Sequence, residues 1–114
     1  EAQIVEACEQ CGRTAVPELA DPVKLQQLLQ SWPGDRALLF ADEEGGAPMA
    51  TVAAPAPAAI LTGPEGGFTA RERDLLLTVS AVRRVALGPR ILRAETAAIA
   101  AIGLWMAQHG DWTA

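Results

Sequence analysis

Leu61-Thr62-Gly63-Pro64-Glu65-Gly66-Gly67-Phe68 is the most informative stretch of this chain, and Leu87-Gly88-Pro89-Arg90-Ile91-Leu92-Arg93-Ala94-Glu95-Thr96-Ala97 is its counterpart. Each stretch begins in an apolar run typical of a buried strand, passes through a Gly-Pro loop and enters a helical pattern. Open α/β sheets bind ligands at the carboxyl ends of their strands, so two such loops from neighbouring parallel strands are expected to line one pocket. Glycine lets the backbone approach a ligand and present N–H and C=O groups to it. The two loops therefore predict a ligand-binding site.

The rest of the sequence predicts an α/β domain around these loops. Helical patterns cover residues 1–11 (ended by Gly12), 21–32 (started by Asp21-Pro22), 69–79 (with capping-box spacing) and 94–109. Buried strands are predicted at 37–41, 58–62 and 83–87, with a long surface loop at 42–57. Strands that alternate with helices indicate a parallel sheet flanked by helices. At 114 residues the chain is one domain at most, and a start within a helical pattern leads us to expect a partial one.

The composition and the cysteines bear on where in the cell the protein is expected. No segment approaches the roughly 20 apolar residues that span a bilayer, and the first residues do not form a signal peptide. Cys8 and Cys11 form a CxxC, a spacing found in zinc half-sites and in redox pairs. The chain has no second CxxC and one distant histidine, His109, so we expect no metal and interpret the cysteines as two buried thiols on one helix face. A cytoplasmic protein without a membrane partner is the expectation.

The charge distribution favours an anionic partner, although the net charge is −5. Residues 69–93 contain most of the basic side chains, close to the two loops: Arg71, Arg73, Arg83, Arg84, Arg90 and Arg93. Arg71 and Arg73 fit a solvated helix face equally well. Arg90 and Arg93, inside the second loop, are better candidates for binding an anionic partner such as nucleic acid.

This chain lacks the motif residues of two common nucleotide-binding sites. A P-loop needs GxxxxGK[ST], but Phe68 follows Gly66-Gly67 where lysine would meet the phosphates. The glycines of the first loop also do not fit the GxGxxG of a Rossmann fingerprint. They could merely turn the chain, but two loops that each hold a charged residue at a tight Gly-Pro turn favour a binding role.

Four segments, taken in order, resemble the successive motifs of the RsmE family. They are Glu6-Ala7-Cys8-Glu9-Gln10-Cys11-Gly12-Arg13, Val16-Pro17-Glu18, and the two loop stretches quoted above. RsmE proteins are SPOUT-class methyltransferases that use S-adenosylmethionine (SAM) to modify N3 of a uridine in small-subunit (16S) ribosomal RNA. The similarity runs from residue 1 to about residue 112. The family also has an amino-terminal PUA-like barrel and initial methyltransferase strands that are not in this sequence, so the resemblance implies a partial SPOUT domain over residues 1–114.

The resemblance implies a trefoil knot in which SAM binds between residues 61–67 and residues 87–93. Its adenine would lie against backbone groups around the second loop, and its ribose and methionine parts near the first. Thr96 would bond either the cofactor or the start of its own helix. The cofactor-binding residues implied are Leu61, Gly63, Glu65, Gly66, Leu87, Gly88, Ile91, Leu92 and Thr96.

Methylation at uridine N3 requires loss of the N3 proton, so the site needs a base or cations that stabilise the resulting anion. Arg93 is the first candidate for the cation and Arg90 the second, with Arg90 favoured on RNA phosphate; both are expected to bind RNA. Glu95 could be the base, although a carboxylate in the first turn of a helix is also favoured by the helix dipole. Family members are homodimers whose active site uses both subunits. Two alternatives remain: a non-enzymatic fragment that binds cofactor and dimerises, and a SPOUT enzyme that acts on another RNA.

Overall fold

The computed structural model describes residues 2–12, 15–64 and 66–113. Four helices and four strands form in these ranges: α1 (Ala2–Cys11), α2 (Leu25–Gln30), β1 (Ala37–Ala41), β2 (Ala47–Pro48), β3 (Ala58–Leu61), α3 (Ala70–Leu77), β4 (Val82–Ala86) and α4 (Ala94–Gln108). Short 3₁₀ turns cover Met49–Thr51 and Asp111–Thr113. All strand pairs are parallel, in the order β2-β4-β1-β3. The α/β class predicted from sequence, with a parallel sheet flanked by helices, is confirmed.

The two faces of the sheet are covered by different elements. On one face Leu38 and Phe40 of β1 pack with Leu29 of α2 and Leu76 of α3. On the other face Leu39 packs with Met49, Ala54, Val85 and Ala101 of α4. The alternation along β1 follows from the two-residue period of a strand. Burial on both faces explains why β1 is a continuous apolar run.

The strand order differs from one expectation. The strands that carry the two Gly-Pro loops, β3 and β4, are not neighbours, because β1 lies between them and pairs with both. The chain crosses from β3 to β4 over β1 through α3. The two loops therefore flank a third strand end, which belongs to β1.

Three local expectations also need correction. Helix α2 begins at Leu25 rather than at Asp21-Pro22, and the amide of Leu28 bonds to the carbonyl of Lys24 to start it. The segment 42–57 is not only surface loop, since Met49 and Ala54 enter the core. Of the two cysteines only Cys8 is buried; Cys11, the last residue of α1, is exposed, and both thiols are free.

The ends of the other helices follow their sequence signals. Gly12 has a φ of +78°, the left-handed conformation that commonly ends a helix. At the start of α3 the Thr69 hydroxyl accepts from the Glu72 amide at 3.1 Å, and the Glu72 carboxylate accepts from the Thr69 amide at 2.8 Å. This reciprocal capping box places the helix directly after the first Gly-Pro loop.

Candidate functional site

One cavity of about 340 Å³ opens at the carboxyl edge of the sheet. Three segments form its walls: residues 41–45 at the end of β1, the first Gly-Pro loop after β3, and the second Gly-Pro loop with the first turn of α4. Its volume lies within the range typical of small-molecule sites. The prediction that both loops line one pocket is confirmed, with the end of β1 as an additional wall.

Glycines shape the first loop. The amide of Gly67 donates to the carbonyl of Pro64 at 2.8 Å, and Gly67 has a φ of +73°, which closes a tight turn. A Cβ on Gly63 would lie 2.8 Å from the ring of Phe68, which itself packs edge-on against Phe40 with ring centroids 4.8 Å apart. The loop is thus anchored to the core by an aromatic contact.

The second loop leaves backbone groups available to a ligand. Gly88 has a φ of +110°, and a Cβ added there would meet no atom within 4 Å. Among the described residues, no amide from Gly88 to Leu92 donates to another backbone group. Regular hydrogen bonding resumes where the Ala97 amide donates to the Arg93 carbonyl at 2.8 Å. Most of this loop is exposed and lines the cavity, so its peptide groups are open to hydrogen bonds from a ligand.

The structure separates the predicted site residues into three groups. Those that line the cavity are Gly63, Leu87, Gly88, Arg90, Ile91 and Leu92. Those outside its lining are Leu61, Gly66, Arg93, Glu95 and Thr96. Glu65 lies outside the described residues. Arg93 nevertheless stands between two lining residues, Leu92 and Ala94, and is exposed at the N-cap of α4.

The wall after β1 was missed by sequence reasoning. Asp42, Glu43, Glu44 and Gly45 line the cavity because β1 ends at the same edge as β3 and β4. A signal was present: charged residues and glycines follow a buried strand directly, as in the two recognised loops. Its meaning depended on the position of β1 in the sheet.

Asp42 is the centre of an ion-pair network under this wall. Its buried carboxylate accepts from the Arg73 guanidinium (Nη2 to Oδ1 3.1 Å) and from Arg84 Nε (to Oδ2 2.8 Å). The amide of Glu44 also donates to Asp42 Oδ1 at 3.0 Å, and the Glu44 carboxylate pairs with Arg73. The network joins the end of β1 to α3 and to β4.

Hydrogen bonding sets the ionisation of this network. Burial raises the pKa of Asp42, but the hydrogen bonds from the Glu44 amide and the two arginines outweigh burial and lower that pKa below its ordinary value of 3.8. The hydrogen bond with Asp42 in turn raises the pKa of Arg73. The Asp42 carboxylate and the Arg73 guanidinium therefore stay charged near neutral pH.

Some of the arginines in residues 69–93 have structural roles. Arg73 and Arg84 are engaged by Asp42, and Arg83 donates to the carbonyl groups of Ser80 and Val82. Arg90 and Arg93 are exposed and form no ion pair or side-chain hydrogen bond with any residue that the structure describes. These two arginines remain the candidates for an anionic partner.

Two other kinds of site were sought in the described residues. No group of three or more His, Cys, Asp or Glu side chains comes together there as a metal site. No helix in residues 2–12, 15–64 and 66–113 is long and apolar enough to cross a bilayer.

The proteins that this chain resembles are consistent with the cavity described above. A family model described as an RNA methyltransferase domain matches residues 1–106. Ribosomal RNA small subunit methyltransferase E of Rickettsia conorii is 34% identical over 104 residues, which cover 87% of this chain and 42% of that protein. The Bacillus subtilis protein of the same name is 36% identical over 106 residues, 85% of this chain and 41% of its own. The chain thus spans less than half the length of these relatives.

Solved structures show the same fold. A methyltransferase of Legionella pneumophila, determined with the cofactor SAM bound, aligns with a TM-score of 0.84 and 38% identity over 95% of this chain and 44% of that one. Ribosomal RNA small subunit methyltransferase E of Neisseria gonorrhoeae, bound to SAM, aligns with a TM-score of 0.88 and 30% identity over 96% of this chain and 46% of that one. The RsmE resemblance seen in sequence is confirmed, and the chain belongs to the RNA methyltransferase domain family.

Proposed function

We propose that the protein carrying this chain is a SAM-dependent RNA methyltransferase that modifies N3 of a uridine in 16S ribosomal RNA. One observation carries the proposal: two glycine-containing loops of a chain in the RNA methyltransferase domain family meet in a single cavity at the carboxyl edge of a parallel sheet. Relatives named ribosomal RNA small subunit methyltransferase E support the choice of substrate, and the structure of one of them with SAM bound supports the choice of cofactor.

The residues present fit SAM. The second loop offers unbonded backbone groups from Gly88 to Leu92, and the open space beside Gly88 allows a ligand to approach the main chain. Leu87, Gly88, Ile91 and Leu92 would hold the adenine, while Gly63, Glu65 and Gly66 would lie near the ribose and methionine parts. Leu61 and Thr96 would support the two loops from their ends. When bound, SAM supplies an activated methyl group on a sulfonium centre.

The second loop also carries the groups proposed to act on RNA. The Arg93 side chain has no partner in the described residues and stands beside the cavity wall, so its guanidinium can donate to the uracil oxygens as negative charge develops on the ring. Glu95, exposed in the first turn of α4, is the proposed acceptor of the N3 proton. Arg90 lines the cavity and would bind RNA phosphate at its mouth.

The proposal has three further parts. Residues 1–114 are part of a SPOUT domain with a trefoil knot, the protein is cytoplasmic, and it forms a homodimer whose two subunits share the active site. Ala101 of α4 is buried against its own sheet and is therefore not part of a surface for a second subunit. Ile99 and Ile102, on the same helix, are exposed, and we propose that a second subunit packs against them.

Mass mapping of 16S ribosomal RNA from cells with and without the complete natural protein tests this function. We expect one methylated uridine to be lost when the gene is deleted and restored when the protein is supplied. Unchanged uridine methylation in the deletion strain would refute the proposed substrate. Methylation lost from another RNA would instead identify a related enzyme with a different target.

A further inference from the structure

Among the described residues that line the cavity, Glu43 is the carboxylate without an ion-pair partner. The charged residues that line the cavity, among those described, are Asp42, Glu43, Glu44 and Arg90. Asp42 pairs with Arg73 and Arg84, and Glu44 also pairs with Arg73. Glu43 forms no ion pair or side-chain hydrogen bond in the described part of the chain. Arg73 influences it only through space, because that guanidinium is already shared by the other two carboxylates.

Glu43 reaches from the end of β1 to the first Gly-Pro loop. Its carboxylate lies directly against Gly67, where the Oε1 atom occupies the space that a Cβ would need. Both residues line the same cavity. The negative charge of Glu43 is therefore located between two of the three walls, beside the turn that Gly67 closes.

The backbone around Glu43 is held by Asp42. The Asp42 amide donates to the Val85 carbonyl at 3.1 Å, which attaches this position to β4. Asp42 then accepts from the Glu44 amide at its side chain and from the Gly45 amide at its carbonyl, at 3.0 and 3.4 Å. Because the residues on both sides of Glu43 are anchored, its side chain projects from a fixed turn rather than from a loose loop.

We infer that Glu43 is the carboxylate that recognises the positive charge of the cofactor in this cavity. The inference rests on the proposed function, since SAM carries two cationic groups, a sulfonium and an α-ammonium. An unpaired carboxylate on a partly enclosed wall attracts either cation. The neighbouring acids cannot substitute for it, because their charges are balanced by Arg73 and Arg84.

Calorimetric titration of the complete natural protein with three ligands tests the assignment. SAM has both cations, S-adenosylhomocysteine keeps only the ammonium, and 5′-methylthioadenosine has neither. We expect Glu43→Gln to weaken SAM binding about two- to fivefold, as for loss of one exposed charge pair. If only SAM is affected, Glu43 faces the sulfonium; if SAM and S-adenosylhomocysteine are affected alike, it faces the ammonium. Either pattern supports the inference.

Matched variants make the result specific. Asp35→Asn also removes one negative charge, but from the exposed turn before β1 at the opposite edge of the sheet, and should leave all three affinities unchanged. Glu43→Asp keeps the charge and should retain more affinity for SAM than Glu43→Gln. Thermal unfolding should show that each variant is folded.

Two results would overturn the inference while the proposed function stands. One is wild-type affinity for SAM in Glu43→Gln. The other is an equal loss for all three ligands, because that loss would reflect the shape of the wall rather than charge. If the wild-type protein binds none of the three ligands, the proposed function fails, and the role of Glu43 fails with it.

Discussion

His109 and Ala54 are 55 residues apart in sequence and joined by a hydrogen bond, in which the Ala54 amide donates to His109 Nε2 at 3.2 Å. The carbonyl of Ala54 accepts from Trp105 Nε1 at 2.8 Å, so both peptide groups of one buried residue are satisfied by side chains of the α4 end. Gln108 adds a bond from Nε2 to the Ala50 carbonyl at 2.6 Å. The helix that starts at the second Gly-Pro loop thereby holds the segment after β2 against the core.

His109→Ala should lower the free energy of unfolding by about 1–3 kcal/mol, because it leaves the buried Ala54 amide without an acceptor. Urea unfolding at neutral pH measures this change. His109→Gln keeps an acceptor in the side chain and should recover part of the loss. Equal stability of the wild type and His109→Ala would show that this bond contributes nothing to the fold.

Asp42→Asn should destabilise the protein by about 2 kcal/mol near neutral pH, since hydrogen bonds between charged groups lose one of their charges. The pKa of Asp42 is lowered in the folded protein. A carboxyl group with a lowered folded pKa contributes stability above its ordinary pKa, 3.8 for Asp42, and loses it as pH falls through the folded value. The difference in unfolding free energy between wild type and variant should thus have its full size at about pH 5–7 and decrease below about pH 4.

Urea unfolding from acidic to neutral pH tests the Asp42 prediction, with Asp35→Asn as the control for loss of one exposed carboxylate. The control should follow the wild type throughout. A stability difference for Asp42→Asn that persists unchanged in acid would show that its charge is not what stabilises the network.

Gly88→Val should abolish SAM binding in the complete natural protein. Its φ of +110° is strained for a β-branched residue, and the new side chain enters space beside the second loop. Gly34→Val is the matched control: Gly34 lies in the turn before β1, has no positive φ and leaves its added side chain in open space. Calorimetric titration should show wild-type affinity in the control. Intact binding by a folded Gly88→Val protein would remove this loop from the cofactor site.

Gly66 provides a separate test of the first loop. It lacks a positive φ, and a Cβ there would meet no protein atom within 4 Å. Gly66→Val should therefore leave the fold intact and reduce SAM affinity only through contact with the bound cofactor. Calorimetric titration that finds unchanged affinity would place Gly66 outside the cofactor site.

Arg93→Ala should leave SAM affinity within a few fold but slow methyl transfer by roughly a hundredfold or more, the scale for removing one donor that stabilises developing charge. The exposed guanidinium is free of protein partners in the described residues, so truncation should not disturb the fold. Single-turnover rates at saturating RNA measure the effect. A normal rate under those conditions would make Arg93 a binding residue only.

Arg90→Ala is the comparison for Arg93→Ala because both remove an arginine from one loop. It should weaken RNA binding and reduce the salt dependence of that binding, as for loss of a phosphate contact. RNA titrations at several salt concentrations measure both quantities. A transfer defect that persists at saturating RNA would instead assign Arg90, which lines the cavity, a role in the chemical step.

Local signals in the sequence were sufficient for most of the elements and for the two loops, but not for β2. The capping box of Thr69 and Glu72, the apolar run of β1 and the left-handed stop at Gly12 each depend on residues close together in the chain. The Gly-Pro loops could be recognised for the same reason. The start of α2 was misjudged because Asp21-Pro22 is a favourable cap in isolation, yet the helix begins at Leu25.

The third wall of the cavity could not be derived from local signals. Asp42 accepts from Arg73 and Arg84, which are 31 and 42 residues away, and Glu43 meets Gly67 because β1 and β3 are neighbours in the sheet. Strand order is set by how the helices cover both faces of the whole sheet, a property of packing rather than of any short segment. The same packing turns Arg73 and Arg84 inward and leaves Arg90 and Arg93 exposed, so the sequence determined which arginines are present, whereas tertiary contacts determined which of them can reach a partner.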